Sequence, residues 1–245
     1  DSATLRENVV SLARNIGYVP RSKRAAKARV EFSITGFSES TTSISIEAGV
    51  FANAGINNTV YTYALPQRIL IPVNAEEAVG VVDIFQGQFL EKEWTVNLSQ
   101  PNQRYVLPND GIDTSTLRVY VKESASSTVQ TEYKMSDSIV KVTGESNIFL
   151  IQETSDEKYE LIFGDGIFGK KLESGNVIKA TYIKTNGAEG NGASSFIFVG
   201  SIKDESGASV SGTRAYMRTL IASENGDDIE LSLIHISEPT RRHSI

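Results

Sequence analysis

Three glycines, Gly164, Gly166 and Gly169, lie inside YELIFGDGIFGKKLESGN at residues 159–176. They stand at the G-x-G-x-x-G spacing of dinucleotide-binding loops. From Gly164 to Lys170 the same run fits most of a Walker A loop. Both chemistries need backbone amides and a helix N-terminus aimed at a phosphate. A Walker A lysine is followed by Ser or Thr as a magnesium ligand, whereas Lys170 is followed by Lys171. Next come a turn, LESGN, and an alternating run, NVIKATYIK, with no helix pattern. Nucleotide binding fails on this context, and no cofactor is expected. A turn reading accounts for more of the residues. Gly164-Asp165-Gly166 reverses the chain after a strand, Gly169 permits a second bend, and Glu173 to Asn176, with Gly175, makes a third. Ile167 and Phe168 are expected to tuck back onto the core.

Other catalytic groups are scarce. The chain has 245 residues, no cysteine and two histidines, His235 and His243. Both histidines fall in Leu231–Ile245, where LSLIHISEPTR back-translates to something resembling a sequencing-library adapter. That tail is expected to be read-through and not native, with the natural protein continuing beyond Glu230. Its two arginines and one glutamate leave with it, which moves the net charge from -6 to -7. Without His or Cys, the usual general base and thiol nucleophile are absent. A two-carboxylate glycosidase remains conceivable, with Asp83, Asp110, Asp113, Asp165 and Glu173 beside strand ends or turns. Aspartate in such places ordinarily caps its own backbone. Asp110-Gly111-Ile112-Asp113 lacks the ligand spacing of a calcium loop, so no metal is expected. No catalytic residue is assigned.

RSKRAAKAR at residues 21–29 supplies a basic patch of Arg21, Lys23, Arg24 and Lys27. It reads either as a site for phosphate or an acidic partner, or, as the favoured reading, as a solvated connector into a strand. It lacks interleaved aromatics for base stacking, so nucleic acid is not an expected partner. No run approaches the roughly 18–20 apolar residues of a bilayer-spanning helix, and no membrane is expected.

The positioning elements follow from periodicity. Thr4 to Glu7 is a T-x-x-E capping box, and Leu5, Val9, Leu12 and Ile16 then form one helical stripe, closed by Gly17 and Pro20. This stripe is expected either to pack internally or to dock on a partner. From Val30 the period becomes two. VEFSI, SISIEAGVF, TVYTYAL, AVGVVDIF, STLRVYVKE, NIFLI, YELIF, NVIKATYIK and SFIFVG read as strands between Gly-, Asn- and Pro-rich turns. The expected fold class is mainly β (α+β), an antiparallel sandwich or barrel-like domain preceded by one N-terminal amphipathic helix. The expected organisation is a helix in 1–20, a β-rich domain in 21–203, and a linker in 204–230. That linker ends in a short helix at RAYMRTLIA that opens another unit. The tail, 231–245, stands outside it.

YELIFGDGIFGKKLESGNVIKATYIKTNGAEGNG resembles the characteristic segment of baseplate J-like proteins, wedge subunits of contractile-tailed phage baseplates. LRENVVSLARNIGYVPRSKRAAKA and QPNQRYVLPNDGIDTSTLRVYV extend the resemblance, toward the large wedge proteins of T-even-like phages. The resemblance implies a non-enzymatic structural subunit of the virion tail baseplate, assembled in the host bacterial cytoplasm. It further implies pairing with a second copy as a homodimer, and contacts with other wedge subunits in a ring around the hub. No small-molecule substrate is implied. Another reading is a carbohydrate-binding or adhesion module of a tail tip, which would need Tyr61, Tyr63 or Trp94 gathered in an exposed concavity.

Overall fold

The computed structural model describes residues 21–230 apart from 39, 137–141, 155, 157 and 211–213. The helical stripe Leu5, Val9, Leu12 and Ile16 and the tail 231–245 lie outside the described residues.

The strands, in chain order, are β1 (Lys27–Thr35), β2 (Ser43–Ile46), β3 (Gly49–Ile56), β4 (Thr59–Leu65), β5 (Ile69–Pro72) and β6 (Glu77–Gln86). They continue with β7 (Gln88–Thr95), β8 (Tyr105–Val106), β9 (Ile112–Lys122), β10 (Gln130–Met135) and β11 (Ile148–Glu153). The last are β12 (Tyr159–Phe163), β13 (Val177–Lys184), β14 (Ile197–Phe198), β15 (Ile202–Asp204) and β16 (Arg214–Glu224). They form a six-stranded sheet in the order β14-β3-β4-β6-β1-β16 and a seven-stranded sheet in the order β7-β13-β9-β10-β11-β12-β8. A three-stranded sheet, β15-β2-β5, completes the set. Pairing is antiparallel throughout, except that β10 and β11 run parallel at Lys134↔Ile148 and Met135↔Phe149.

Period-two patterning explains how each sheet closes over a core. In β1, Ala28, Val30, Phe32 and Ile34 are buried while Arg29 is exposed. With Ile44, Ile46, Phe51, Tyr63 and Phe196 they form the first core. In β9, Leu117, Val119 and Val121 are buried and join Ile112, Tyr133, Phe149, Leu161, Ile178 and Tyr182 in the second. The chain passes from β6 to β7, and so from one sheet to the other, through Gly87. Its φ is +141°, and a Cβ there would overlap the Lys184 carbonyl, so only glycine fits.

Two expectations are corrected. The class is nearly all β and not α+β: among the described residues the sole helical piece is a 3₁₀ turn at Gly187–Gly190, and the segment expected to hold the leading helix lies outside them. The short helix expected at RAYMRTLIA is strand β16, paired with β1 at Phe32↔Met217 and Ser33↔Tyr216. A register shift accounts for the misreading. Val30 faces Thr219 and Arg29 faces Ile221, so Leu220 is an extra residue on β16. Tyr216, Met217, Leu220 and Ile221 fall at helix-like intervals in the sequence, but the backbone stays extended and takes up the extra residue as a bulge.

Candidate interaction surface

β12 delivers the glycine loop. Tyr159 and Leu161 face inward, and Phe163 makes edge-to-face contacts with Tyr105 and Tyr133, each at 5.7 Å between centroids. The chain then turns over Gly164-Asp165-Gly166-Ile167-Phe168-Gly169, with Gly164 and Lys171 bridged at its base. The Asp165 Oδ1 accepts both the Ile167 amide at 2.8 Å and the Phe168 amide at 2.9 Å. The Phe168 amide, then the Ile167 amide, hold this carboxylate below the ordinary aspartate value. Gly166 donates to the Gly169 carbonyl at 3.0 Å. Gly169 in turn donates to the Thr143 carbonyl at 3.1 Å, and Lys170 to the Ser146 carbonyl at 2.8 Å. Gly166 and Gly169 hold φ of +94° and +89°, while a Cβ on Gly164 would collide with the Gly169 backbone. Downstream, Gly175 holds φ of +94°, and the Asn176 side chain accepts the Glu173 amide at 2.9 Å and donates to the Glu123 carbonyl at 3.1 Å.

These bonds answer the nucleotide question. The amides that would receive a phosphate are taken by the loop's own Asp165 and by neighbouring carbonyls, and the turn leads into β13, a strand. One detail differs from expectation. Ile167 and Phe168 do not return to the core; they are 69% and 51% exposed. Asp165 binds their amides back into the turn, which leaves the side chains pointing outward.

The basic segment meets residues 227–230 from the far end of the chain, and Asp83. Arg24 and Asp227 exchange both backbone hydrogen bonds at 3.0 Å. The Arg21 amide donates to Glu230 at 2.9 Å, Lys23 pairs with Asp228 at 3.5 Å, and Lys27 pairs with Asp83 at 3.4 Å. The connector is thus one strand of a clasp, on which Arg21 and Arg24 remain exposed.

The candidate carboxylates are dispersed among separate roles. Asp83 accepts Arg29 at 2.7 and 3.0 Å, and that guanidinium lowers its pKa. Asp110 accepts Lys184 at 2.6 Å and is likewise held low by it. Asp113 is buried and accepts the Ala25 amide, the Ser115 amide and the Ser115 hydroxyl at 2.8, 2.9 and 2.7 Å. Among the described residues no group of three or more His, Cys, Asp or Glu is placed to hold a metal ion. The aromatics named for an adhesion site are also dispersed. Tyr63 is buried in the first core and donates to the Gly190 carbonyl at 2.7 Å, whereas Trp94 stacks edgewise on Tyr105 beside the second.

Sequence similarity supplies what the geometry does not. Residues 93–210 match the family model of the third domain of bacteriophage baseplate wedge protein gp6. The baseplate wedge protein gp6 of Enterobacteria phage T4 is 26% identical over 216 residues, covering 80% of this chain. Over these stretches the chain is similar to baseplate wedge proteins. It spans 31% of the length of that T4 relative. The matched wedge-domain stretch takes in β8 to β15, and with them the whole glycine loop.

Beside the loop base of this wedge-like chain lies a shallow hollow of about 270 Å³. Leu98, Tyr105, Glu160, Ile162, Phe163 and Leu172 line it, together with Gly164 and Lys171. Sequence reasoning passed over this feature. A signal was present, however: in YELIF, Ile162 falls on the face opposite Tyr159 and Leu161, an apolar residue aimed at solvent.

Proposed function

We propose that this wedge-like chain is part of a structural subunit of a phage contractile-tail baseplate wedge, working by shape and contact and breaking no bond. The observation that carries this reading is the match of residues 93–210 to the gp6 third domain. The dispersal of the candidate carboxylates onto separate arginine, lysine and backbone partners agrees with it. In this role the β sheets are a rigid body, and its partners are other wedge subunits and a second copy of the chain in the ring around the hub. Its place is the virion tail baseplate, after assembly in the host bacterial cytoplasm.

The test is reconstitution. The chain and the wedge proteins encoded beside it are purified separately, mixed, and followed by sedimentation velocity and electron microscopy. A stoichiometric complex resembling a wedge is expected. A chain that sediments apart from every one of those proteins overturns the reading.

A further inference from the structure

We infer that Asn225 is a latent deamidation site, kept unreactive by the side chain of Asn191 for as long as the residues after β16 stay docked. The chemistry is independent of the partners that the chain meets.

The sequence contains three Asn-Gly pairs, Asn186-Gly187, Asn191-Gly192 and Asn225-Gly226. All of them come together where the loop between β13 and β14 lies against the residues that follow β16. Asparagine before glycine is the least hindered setting for one intramolecular reaction, because glycine puts no side chain in the way. The glycine amide nitrogen gives up its proton and attacks the asparagine Cγ, and ammonia leaves as a five-membered succinimide closes. Water then opens the ring at either carbonyl, so that side-chain amide plus water becomes carboxylate plus ammonium. One opening yields aspartate; the other yields isoaspartate, in which the side-chain carbon has entered the backbone.

Each of the three attacking amides is engaged. Gly187 donates to Thr185 Oγ1 at 3.0 Å, Gly192 to the Ser223 carbonyl at 2.7 Å, and Gly226 to Asn191 Oδ1 at 2.8 Å. Asn191 also donates its Nδ2 to the Gly226 carbonyl at 2.9 Å. One side chain thus grips Gly226 on both sides, and the Gly226 amide cannot turn on Asn225 until that grip opens. Asn225 itself is exposed, and its Nδ2 donates to the adjacent Glu224 at 3.2 Å, a contact that leaves Cγ open to attack.

Packing explains why so labile a pair stands here. A Cβ on Gly226 would overlap the Gly187 carbonyl, so the close approach of the two segments demands glycine. Asn225 holds φ of +63°, a left-handed position that asparagine tolerates better than most residues. Deamidation would add a carboxylate beside Glu224, Asp227 and Asp228, and the isoaspartate form would carry Gly226 out of register with Asn191. An opening of this joint therefore leaves a lasting chemical record.

The test is peptide mapping by mass spectrometry of the full 245-residue chain, incubated at mildly alkaline pH both folded and in urea. Folded wild type is expected to convert at Asn225 about ten-fold or more slowly than the unfolded chain. Asn191→Ala frees the Gly226 amide and is expected to speed conversion at Asn225 by about ten-fold. Asn186 relies on a bond that Asn191 does not make, so in the same variant it is expected to keep its folded rate. Hydrogen exchange on wild type needs no variant and decides the matter should Asn191→Ala fail to fold: the Gly226 amide is expected to be protected about ten-fold or more. Conversion at Asn225 as fast folded as unfolded overturns the inference, as does an unprotected Gly226 amide. So does a folded Asn191→Ala that converts at the wild-type rate, or one in which Asn186 accelerates alongside Asn225 while the circular dichroism stays that of wild type.

Discussion

The buried Asp113 carboxylate accepts the Ala25 amide at 2.8 Å, tying the connector that leads into β1 to the start of β9 in the other sheet. Gln86 acts alongside it: its amide donates to the Ala26 carbonyl at 2.8 Å, and its side-chain oxygen accepts Thr185 Oγ1 at 2.8 Å and the Asn186 amide at 3.0 Å. The two cores are thus joined across a polar seam in which each bond fixes a backbone position. Asp113→Ala leaves the buried Ala25 amide without its acceptor, and the expected loss is about 1–3 kcal/mol. Urea denaturation of the two proteins measures it.

Two glycines separate two kinds of strain. Gly175 has φ of +94° and open space around its Cβ position, so Gly175→Ala is expected to cost about 1–2 kcal/mol from backbone conformation alone. Gly164 has an ordinary φ, but its Cβ would run into the Gly169 backbone, which cannot swing aside as a side chain can. Gly164→Ala is therefore expected to lower the melting temperature by more than Gly175→Ala. The reverse order in a calorimetric scan would contradict the loop geometry.

Asp165 makes the loop sensitive to acid. The Phe168 and Ile167 amides hold its folded pKa below the ordinary 3.8. Its contribution is accordingly complete above that value and is lost as pH falls through the lower folded value. In a nuclear magnetic resonance titration, the Ile167 and Phe168 amide shifts are expected to move together with one midpoint below 3.8. Asp165→Ala is expected to abolish that transition and leave other carboxylate titrations in place.

Nucleotide is expected to leave the chain unchanged. Anything that binds the folded state alone raises its stability by mass action, so a bound ATP would raise the melting temperature. Millimolar ATP with magnesium is expected to produce no such rise, and Lys170→Met is expected to behave like wild type in the same assay. A nucleotide-dependent shift lost in Lys170→Met would reinstate the phosphate-cradle reading.

Much of the β architecture was legible because a half-buried strand writes its faces directly into alternate residues. TVYTYAL coincides with β4 and YELIF with β12. Leu117, Val119 and Val121 are buried together, as their spacing requires. Where one face is not simply buried, the signal fails. QFLEKEWT is β7, an edge strand whose Glu91, Lys92 and Glu93 are all exposed, and its alternation is correspondingly faint. In β16 a bulge broke the period and a helix was read in its place.

The sequence by itself determined that the glycines at 164, 166 and 169 shape a turn, because no helix follows to make them a phosphate site, and that the usual His and Cys catalysts have no place in residues 1–230. Tertiary structure alone decided where side chains separated by long stretches of chain would meet. It set Asp227, Asp228 and Glu230 against the basic segment, and Thr143 and Ser146 beneath the loop, so that Ile167 and Phe168 turn outward next to a recess. Local periodicity records which face of an element is apolar. Which distant element covers that face, or leaves it bare, depends on pairings that no local pattern contains.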